Sequence, residues 1–172
     1  MEMVDIYNKN REKLGYTKTK TEPLDAHEFV AIAHIIIFNS AGDMLIQQRA
    51  ADKVDWPDCW DVSCGGGAIA GETIQMCAER EAREELGLDL SLTEERPYLT
   101  IHYPRGFDDY YLIQCDLDIT TLHIQKTELT DVAWAGYSTI LSMMREGRFV
   151  RYNEGFIELL FAMKDNRGSY KG

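Results

Sequence analysis

The sequence predicts an α/β fold: a mixed β-sheet flanked by helices and preceded by an N-terminal β-hairpin. Three observations carry this. Phe29–Phe38 is nearly all apolar and rich in isoleucine, the pattern of a central strand covered on both faces. Thr73–Leu86 holds neither Gly nor Pro and consists mostly of good helix formers. A strand at Val132–Ala135 is followed by two amphipathic stretches, Ser138–Glu146 and Asn153–Lys164, so strands and helices share one chain in layers.

The elements follow in order. Val4–Tyr7, the polar turn Asn8-Lys9-Asn10 and Leu14–Thr17 read as a hairpin, closed by Pro23 and a linker reaching residue 26. Asn39–Asp43 is a turn, and Met44–Gln48 is the returning strand. Trp56-Pro57-Asp58 and the glycine-rich Cys64–Gly67 bracket a short strand, Trp60–Ser63. Beyond the first helix, Pro97–Tyr103 and Tyr110–Asp116 are strands joined by the turn Pro104-Arg105-Gly106. Gly147 stops the second helix. With 172 residues, no evident linker and no repeat, residues 1–172 are expected to form one domain.

Bulk composition narrows the function classes. A hydrophobic fraction of 45% excludes a disordered chain. No apolar stretch is long enough to cross a bilayer, and Met1–Asp5 has no secretion-signal character, so a cytoplasmic protein without membrane partners is expected. Cys59, Cys64, Cys77 and Cys115 lack a CxxC pair and read as reduced, partly buried thiols; a zinc site on Cys59 and Cys64 would lack its partner pair. A net charge of −11 argues against a nucleic-acid partner and suits a protein that handles small anionic molecules through bound cations.

The acids of the first helix break local rules. At about 100° per residue, Glu81, Glu84 and Glu85 share a sector with Ile74, Cys77 and Ala78, opposite Met76, Glu79 and Arg83. Like charges three and four residues apart destabilise a helix by roughly 0.2–0.5 kcal/mol per pair. Acids in the last turn oppose the helix dipole by about 0.3–1 kcal/mol each. Local rules broken together mark a site. A hard divalent cation reverses both penalties, since carboxylate oxygens are its preferred ligands.

Gly66-x5-Glu72-x7-Arg80-Glu81-Ala82-x-Glu84-Glu85-x-Gly87-Leu88 resembles the complete signature box of the Nudix hydrolases, with Ala82 where a larger aliphatic residue is usual. The element order around residues 66–88 is similar to that family over most of the chain. The resemblance implies an α/β/α sandwich and Mg²⁺-dependent hydrolysis of a diphosphate linkage, with Mn²⁺ as an alternative cation. It implies that Glu84 and Glu85 are the principal metal ligands and Glu81 a third ligand or the base. It also implies that Glu72 completes the metal shell or pairs with Arg80. Arg80 reads equally as an i,i+4 partner of Glu84.

Residues outside the box complete the expected site. Gly65, Gly66, Gly67 and Gly71 allow a tightly bent loop, with the Gly66 carbonyl free to face a metal. Glu128, just before Val132–Ala135, is the first candidate for a further acid; Asp108 and Asp109 are the alternatives. Arg49, at the end of its strand, is placed to meet a second phosphate bidentately. His34 alternates into an Ile/Ala strand and reads as a hydrogen-bonded core histidine, with His27 seven residues before it. Trp56 and Trp60 are either walls of a substrate pocket or core.

The hairpin and Trp56–Ser63 resemble the isopentenyl-diphosphate-isomerase-like branch of the same superfamily. That isomerase carries a Cys directly before the box Gly and a His directly after it. This chain has Gly65 and Gly67 there. Hydrolysis of a nucleoside diphosphate derivative is therefore the expected reaction. Isomerisation, or ligand binding without turnover, is the alternative. The partner is a small-molecule diphosphate, and the exposed hairpin edge is a surface on which a homodimer could form.

Overall fold

The computed structural model describes residues 2–168 and Tyr170. The hairpin is β1 (Met3–Tyr7) and β2 (Lys13–Thr19), a separate two-stranded sheet with Val4 paired to Lys18. The chain then supplies β3 (Val30–Phe38), β4 (Met44–Arg49), β5 (Trp60–Asp61), β6 (Cys64–Gly67) and α1 (Ile74–Leu86). After α1 come β7 (Leu99–Tyr103), β8 (Gly106–Gln114), a 3₁₀ turn at Ile119–Thr121, β9 (Leu129–Ala135), α2 (Tyr137–Arg145) and α3 (Glu154–Met163).

The main sheet is mixed, as expected. β3 and β8 run parallel along their full length, from Val30↔Gly106 to Phe38↔Gln114, while the other pairs are antiparallel. The second edge of β3 is shared. β4 takes its C-terminal end (Phe38↔Met44) and β6 its middle (Ile32↔Gly67 to Ile35↔Cys64). This splitting brings β4 and β6 side by side, and the site opens between them.

Strand alternation places a core on each face. Ile36 and Phe38 join Tyr110, Leu112, Ile140, Phe149, Ile157 and Leu160 beneath α2 and α3. Ala31, Ala33, Ile35 and Ile37 pack with Cys77, Ala78, Ala82 and Leu86 of α1. Helices thus cover both faces, giving the α/β/α sandwich. α1 starts where the Thr73 side chain accepts from the Met76 N–H at 3.2 Å. It ends at Gly87, whose φ of 70° lets the Gly87 and Leu88 N–H groups reach the Arg83 and Ala82 carbonyls.

Several expectations are corrected. The glycine run is an extended strand, β6, because backbone pairing with β3 satisfies it better than a loop would. Trp60–Ser63 is extended only at Trp60–Asp61. Gly106 is the first residue of β8 instead of the turn's last, so that strand starts four residues before Tyr110. The 3₁₀ turn had no signal beyond Asp118, whose carboxylate caps it by accepting from the Thr120 N–H.

The hairpin docks on the loop before α1. The Asp5 carboxylate accepts from the Gly71 N–H at 2.9 Å, and the Met3 carbonyl from the Ala70 N–H at 2.8 Å. Lys13 Nζ donates to the Glu72 carbonyl at 3.1 Å. Tyr7 and Phe29 exchange both backbone hydrogen bonds, which ties β1 to the entry of β3.

Candidate active site

The site forms where the C-terminal half of α1 lies along β6. Glu81 and Glu85, one turn apart, are both more than nine-tenths buried, at 9% and 8% exposure. Glu84 departs from the expected inward stripe. Its side chain is 52% exposed, because it lies at the edge of the sector and bends back to the guanidinium of Arg80. Two of the three helix acids therefore face inward and one faces the rim.

Arg80 organises these acids. Its Nε and Nη2 donate to the two carboxylate oxygens of Glu72 at 2.8 and 3.1 Å. Its Nη1 donates to Glu81 Oε1 at 2.7 Å and Glu84 Oε2 at 3.1 Å. Nη2 also reaches the Gly67 carbonyl at 3.0 Å. Glu72 is fixed further by the Ile69 N–H at 2.9 Å. The two readings of Arg80 hold together: it pairs with Glu72 and with Glu84 at once.

Glu85 stands apart from this network. Among the described residues its carboxylate accepts one protein hydrogen bond, from the Gly65 N–H at 3.3 Å. Burial, then the Glu81 charge beside it, push the Glu85 carboxyl up to about 8, with Glu128 and Asp61 adding to the rise. Burial likewise raises Glu81, opposed by Arg80. A buried carboxylate with one long donor is costly unless a cation balances it.

The glycines make room for these acids. A Cβ on Gly66 would fall 2.2 Å from Glu81 Oε1, so only glycine leaves the carboxylate its seat. A Cβ on Gly65 would fall 2.5 Å from the Ala33 carbonyl oxygen, a backbone atom that cannot swing away. The Gly66 carbonyl, expected to face a metal, accepts from the Cys77 thiol at 3.3 Å, which occupies one of its two lone pairs. Gly66→Ala is expected to fold and to lose activity by displacing Glu81. Gly65→Ala is expected to cost about 1–3 kcal/mol through overpacking. Activity and urea unfolding of the two variants check this contrast.

A cavity of about 80 Å³ opens beside Glu85, lined also by Arg49, Lys53, Asp61, Gln47 and Glu128. Glu128, the first candidate for a further acid, thus lines the same cavity as Glu85. The Gln125 N–H bonded to the Glu85 carbonyl at 3.1 Å holds its loop against α1. Glu128 also forms an ion pair with Lys53. Arg49 reaches Asp61 at 3.3 Å and the Asp55 carbonyl at 3.1 Å. The alternatives to Glu128 are placed elsewhere. Asp109 is wholly buried and pairs with Arg11 and Thr100. Asp108 lies 3.4 Å from His34 Nε2.

Sequence reasoning missed Lys53, Asp61 and Gln47. Lys53 follows Arg49 by four residues, a spacing that means little outside a helix. Asp61 is buried, its carboxyl raised by burial and held by Tyr152 at 2.7 Å and the Val62 N–H at 2.8 Å. Gln47 is buried with its Oε1 unpartnered, a polar atom beside the cavity. His34 lines the cavity too and stacks on Tyr110, with ring centres 4.6 Å apart and planes 10° apart. Trp60 packs against the α2/α3 core, whereas Trp56 is 41% exposed beneath Arg151; His27 is exposed. The four thiols are free, with Cys64 and Cys77 buried.

Fold and site together define a class: α/β/α sandwiches with a glutamate-bearing helix laid along a glycine-rich strand. The chain belongs to the Nudix family, whose domain matches residues 27–153. It is 39% identical over 165 residues to an uncharacterised Nudix hydrolase of Listeria monocytogenes, covering 96% of both chains. The crystal structure of a Deinococcus radiodurans protein superposes with a TM-score of 0.74 at 25% identity, covering 92% of this chain and 97% of that one. An isopentenyl-diphosphate Δ-isomerase of Cutibacterium acnes is 28% identical over 121 residues, 63% of this chain and 61% of that one. Both parts of the resemblance read from the box and the hairpin are thus present among the relatives.

The donor set suits a divalent cation, which this family generally uses. It is all hard carboxylate oxygen, and Glu85 lacks the countercharge its burial demands. Among the described residues no three such side chains yet enclose an ion. Arg80 holds Glu81 and Glu84 on its own guanidinium.

Proposed function

We propose that this protein is a Mg²⁺-dependent hydrolase that cleaves a diphosphate linkage in a nucleoside diphosphate derivative. The observation that carries the reading is Glu85, buried at 8% exposure with its carboxyl pushed up to about 8, across one cavity from Arg49 and Lys53. Acids that need cations and bases that need anions converge there. A metal-bound diphosphate satisfies both.

Glu85, Glu81 and the rim carboxylate of Glu84 would hold the divalent cation, which would supply charge neutralisation for the diphosphate and acidify the attacking water. The chain's own groups do the rest. Arg49 and Lys53 hold and orient phosphate oxygens; Arg49 does so through a planar fork, Lys53 as a point charge. Arg80 fixes the rotamers of Glu72, Glu81 and Glu84, so little reorganisation is left to the reaction. Glu128, released from Lys53 when phosphate takes its place, stands at the cavity as a proton acceptor.

No helix among the described residues is long and apolar enough to cross a membrane, which fits our reading of a cytoplasmic enzyme with a small-molecule partner. The test is a screen of nucleoside diphosphate derivatives. Monophosphate release is expected with Mg²⁺, falling to background in EDTA. Tight ligand binding with no turnover of any member would replace the hydrolase with a sensor. Interconversion of two prenyl diphosphates without P–O–P cleavage would replace it with an isomerase.

A further inference from the structure

One glycine of β6 is not required by the protein's own packing. Cβ atoms on Gly65 and Gly66 would strike the Ala33 carbonyl and Glu81, but one on Gly67 would meet nothing within 4 Å. Gly67 is not among the residues with positive φ, so its backbone conformation admits any side chain. The space it leaves belongs to a recess of about 190 Å³ under the hairpin, walled by Val4, Leu24, Val30, Ile32 and Ala68, with Thr19 and the exposed Lys20 and Glu22 also lining it. Val30 and Ile32 share the face of β3 that α2 and α3 cover at Ile36 and Phe38. Here that face has no helix over it, and both residues stay half-buried.

The recess is continuous with the acid site. The Gly67 carbonyl accepts from the guanidinium that holds Glu72 and Glu81. We infer that the recess seats a compact apolar group carried by the diphosphate substrate, an inference that rests on the hydrolase reading of the acid site. Its walls are mostly aliphatic, with Thr19, Lys20 and Glu22 as the polar side chains, and hold no aromatic ring to stack a nucleobase. Its volume lies below the roughly 300–1,000 Å³ of pockets for drug-sized ligands, which restricts the occupant to a small group.

The test uses two uncleavable P–C–P probes with Mg²⁺, the 3-methylbutyl and methyl esters of methylenediphosphonate, with Kd measured by calorimetry. Wild-type protein is expected to bind the 3-methylbutyl ester about 10- to 100-fold more tightly. Gly67→Leu, which fills the recess with its own side chain, is expected to bring that ratio below about threefold. Leu24→Ser, in a surface loop, is expected to lower it severalfold and serves if Gly67→Leu misfolds. Equal binding of the two esters by wild type, or a ratio unchanged in both variants, overturns the inference. The hydrolase reading stands or falls separately, on turnover of cleavable diphosphates, while the recess is judged on this ratio alone.

Discussion

Glu85→Gln is expected to lower kcat on the order of 10³-fold while making the cation-free protein more stable. The two effects have one cause. The Glu85 carboxyl is held at about 8 in the fold against an ordinary 4.5, so folding favours its protonated form. A carboxyl raised in this way contributes fully below about pH 4.5. That contribution is lost as pH rises through about 8, because the unfolded chain ionises freely and the folded chain resists. The cation-free wild type should therefore lose stability across this window. Glu85→Gln, neutral at every pH, should remove the slope and gain on the order of 2–4 kcal/mol at pH 8. Added Mg²⁺ should stabilise the wild type increasingly with pH and release a proton as it binds. Urea unfolding at several pH values, with and without Mg²⁺, measures this. A flat wild-type profile, or a Glu85→Gln protein weaker than its parent at pH 8, would falsify the burial argument.

Arg80→Ala should act in the opposite direction. The guanidinium binds Glu72, Glu81 and Glu84 from a side chain only 20% exposed, and Glu72 and Glu81 are nearly closed off from solvent. Its removal leaves two poorly solvated carboxylates without a countercharge, at a cost of about 3–5 kcal/mol. Divalent cation should recover part of that loss, since it binds the freed acids in the folded state; occupancy at 100 times Kd is worth about 2.7 kcal/mol. The shift in melting temperature on adding Mg²⁺ should thus be larger in Arg80→Ala than in the wild type. Activity should still fall, because the carboxylates are no longer oriented. Equal Mg²⁺ shifts in the two proteins would show that the guanidinium and the cation do not share ligands.

What the sequence revealed depended on how local each signal was. The isoleucine run of β3 and the capped, glycine-free stretch of α1 were legible because period and capping are written in neighbouring residues. The box acids were legible from their spacing alone. Glu84 was misplaced, since a 100° rule assigns sectors but not the reach of a side chain toward Arg80. The strand character of Cys64–Gly67 was hidden, because three glycines carry no β preference and only pairing with β3 extends them. Lys53, Asp61 and Gln47 lie on or just beyond strands β4 and β5 and share a cavity with Glu85 through the tertiary fold, which no spacing rule encodes. Glu128 was reachable as a candidate, yet its place depends on the Gln125–Glu85 backbone bond.

The hairpin is joined to the body by main-chain bonds at Tyr7–Phe29 and Met3–Ala70, by Asp5 and Lys13 on the loop at Gly71 and Glu72, by the Arg11–Asp109 ion pair and by the buried side chains of Val4 and Ile6. Apart from the Tyr7–Phe29 bridge, its two strands pair only with each other, whereas β3 and β8 are paired on both edges, so the hairpin amides should exchange with solvent before those of β3 and β8. Because two of its anchors fall on Gly71 and Glu72 and none on Glu85, each opening loosens the support behind Arg80 while the deepest carboxylate keeps its setting. Fraying at one end of the molecule would then register as a fluctuation in cation grip, felt at a distance through a single arginine.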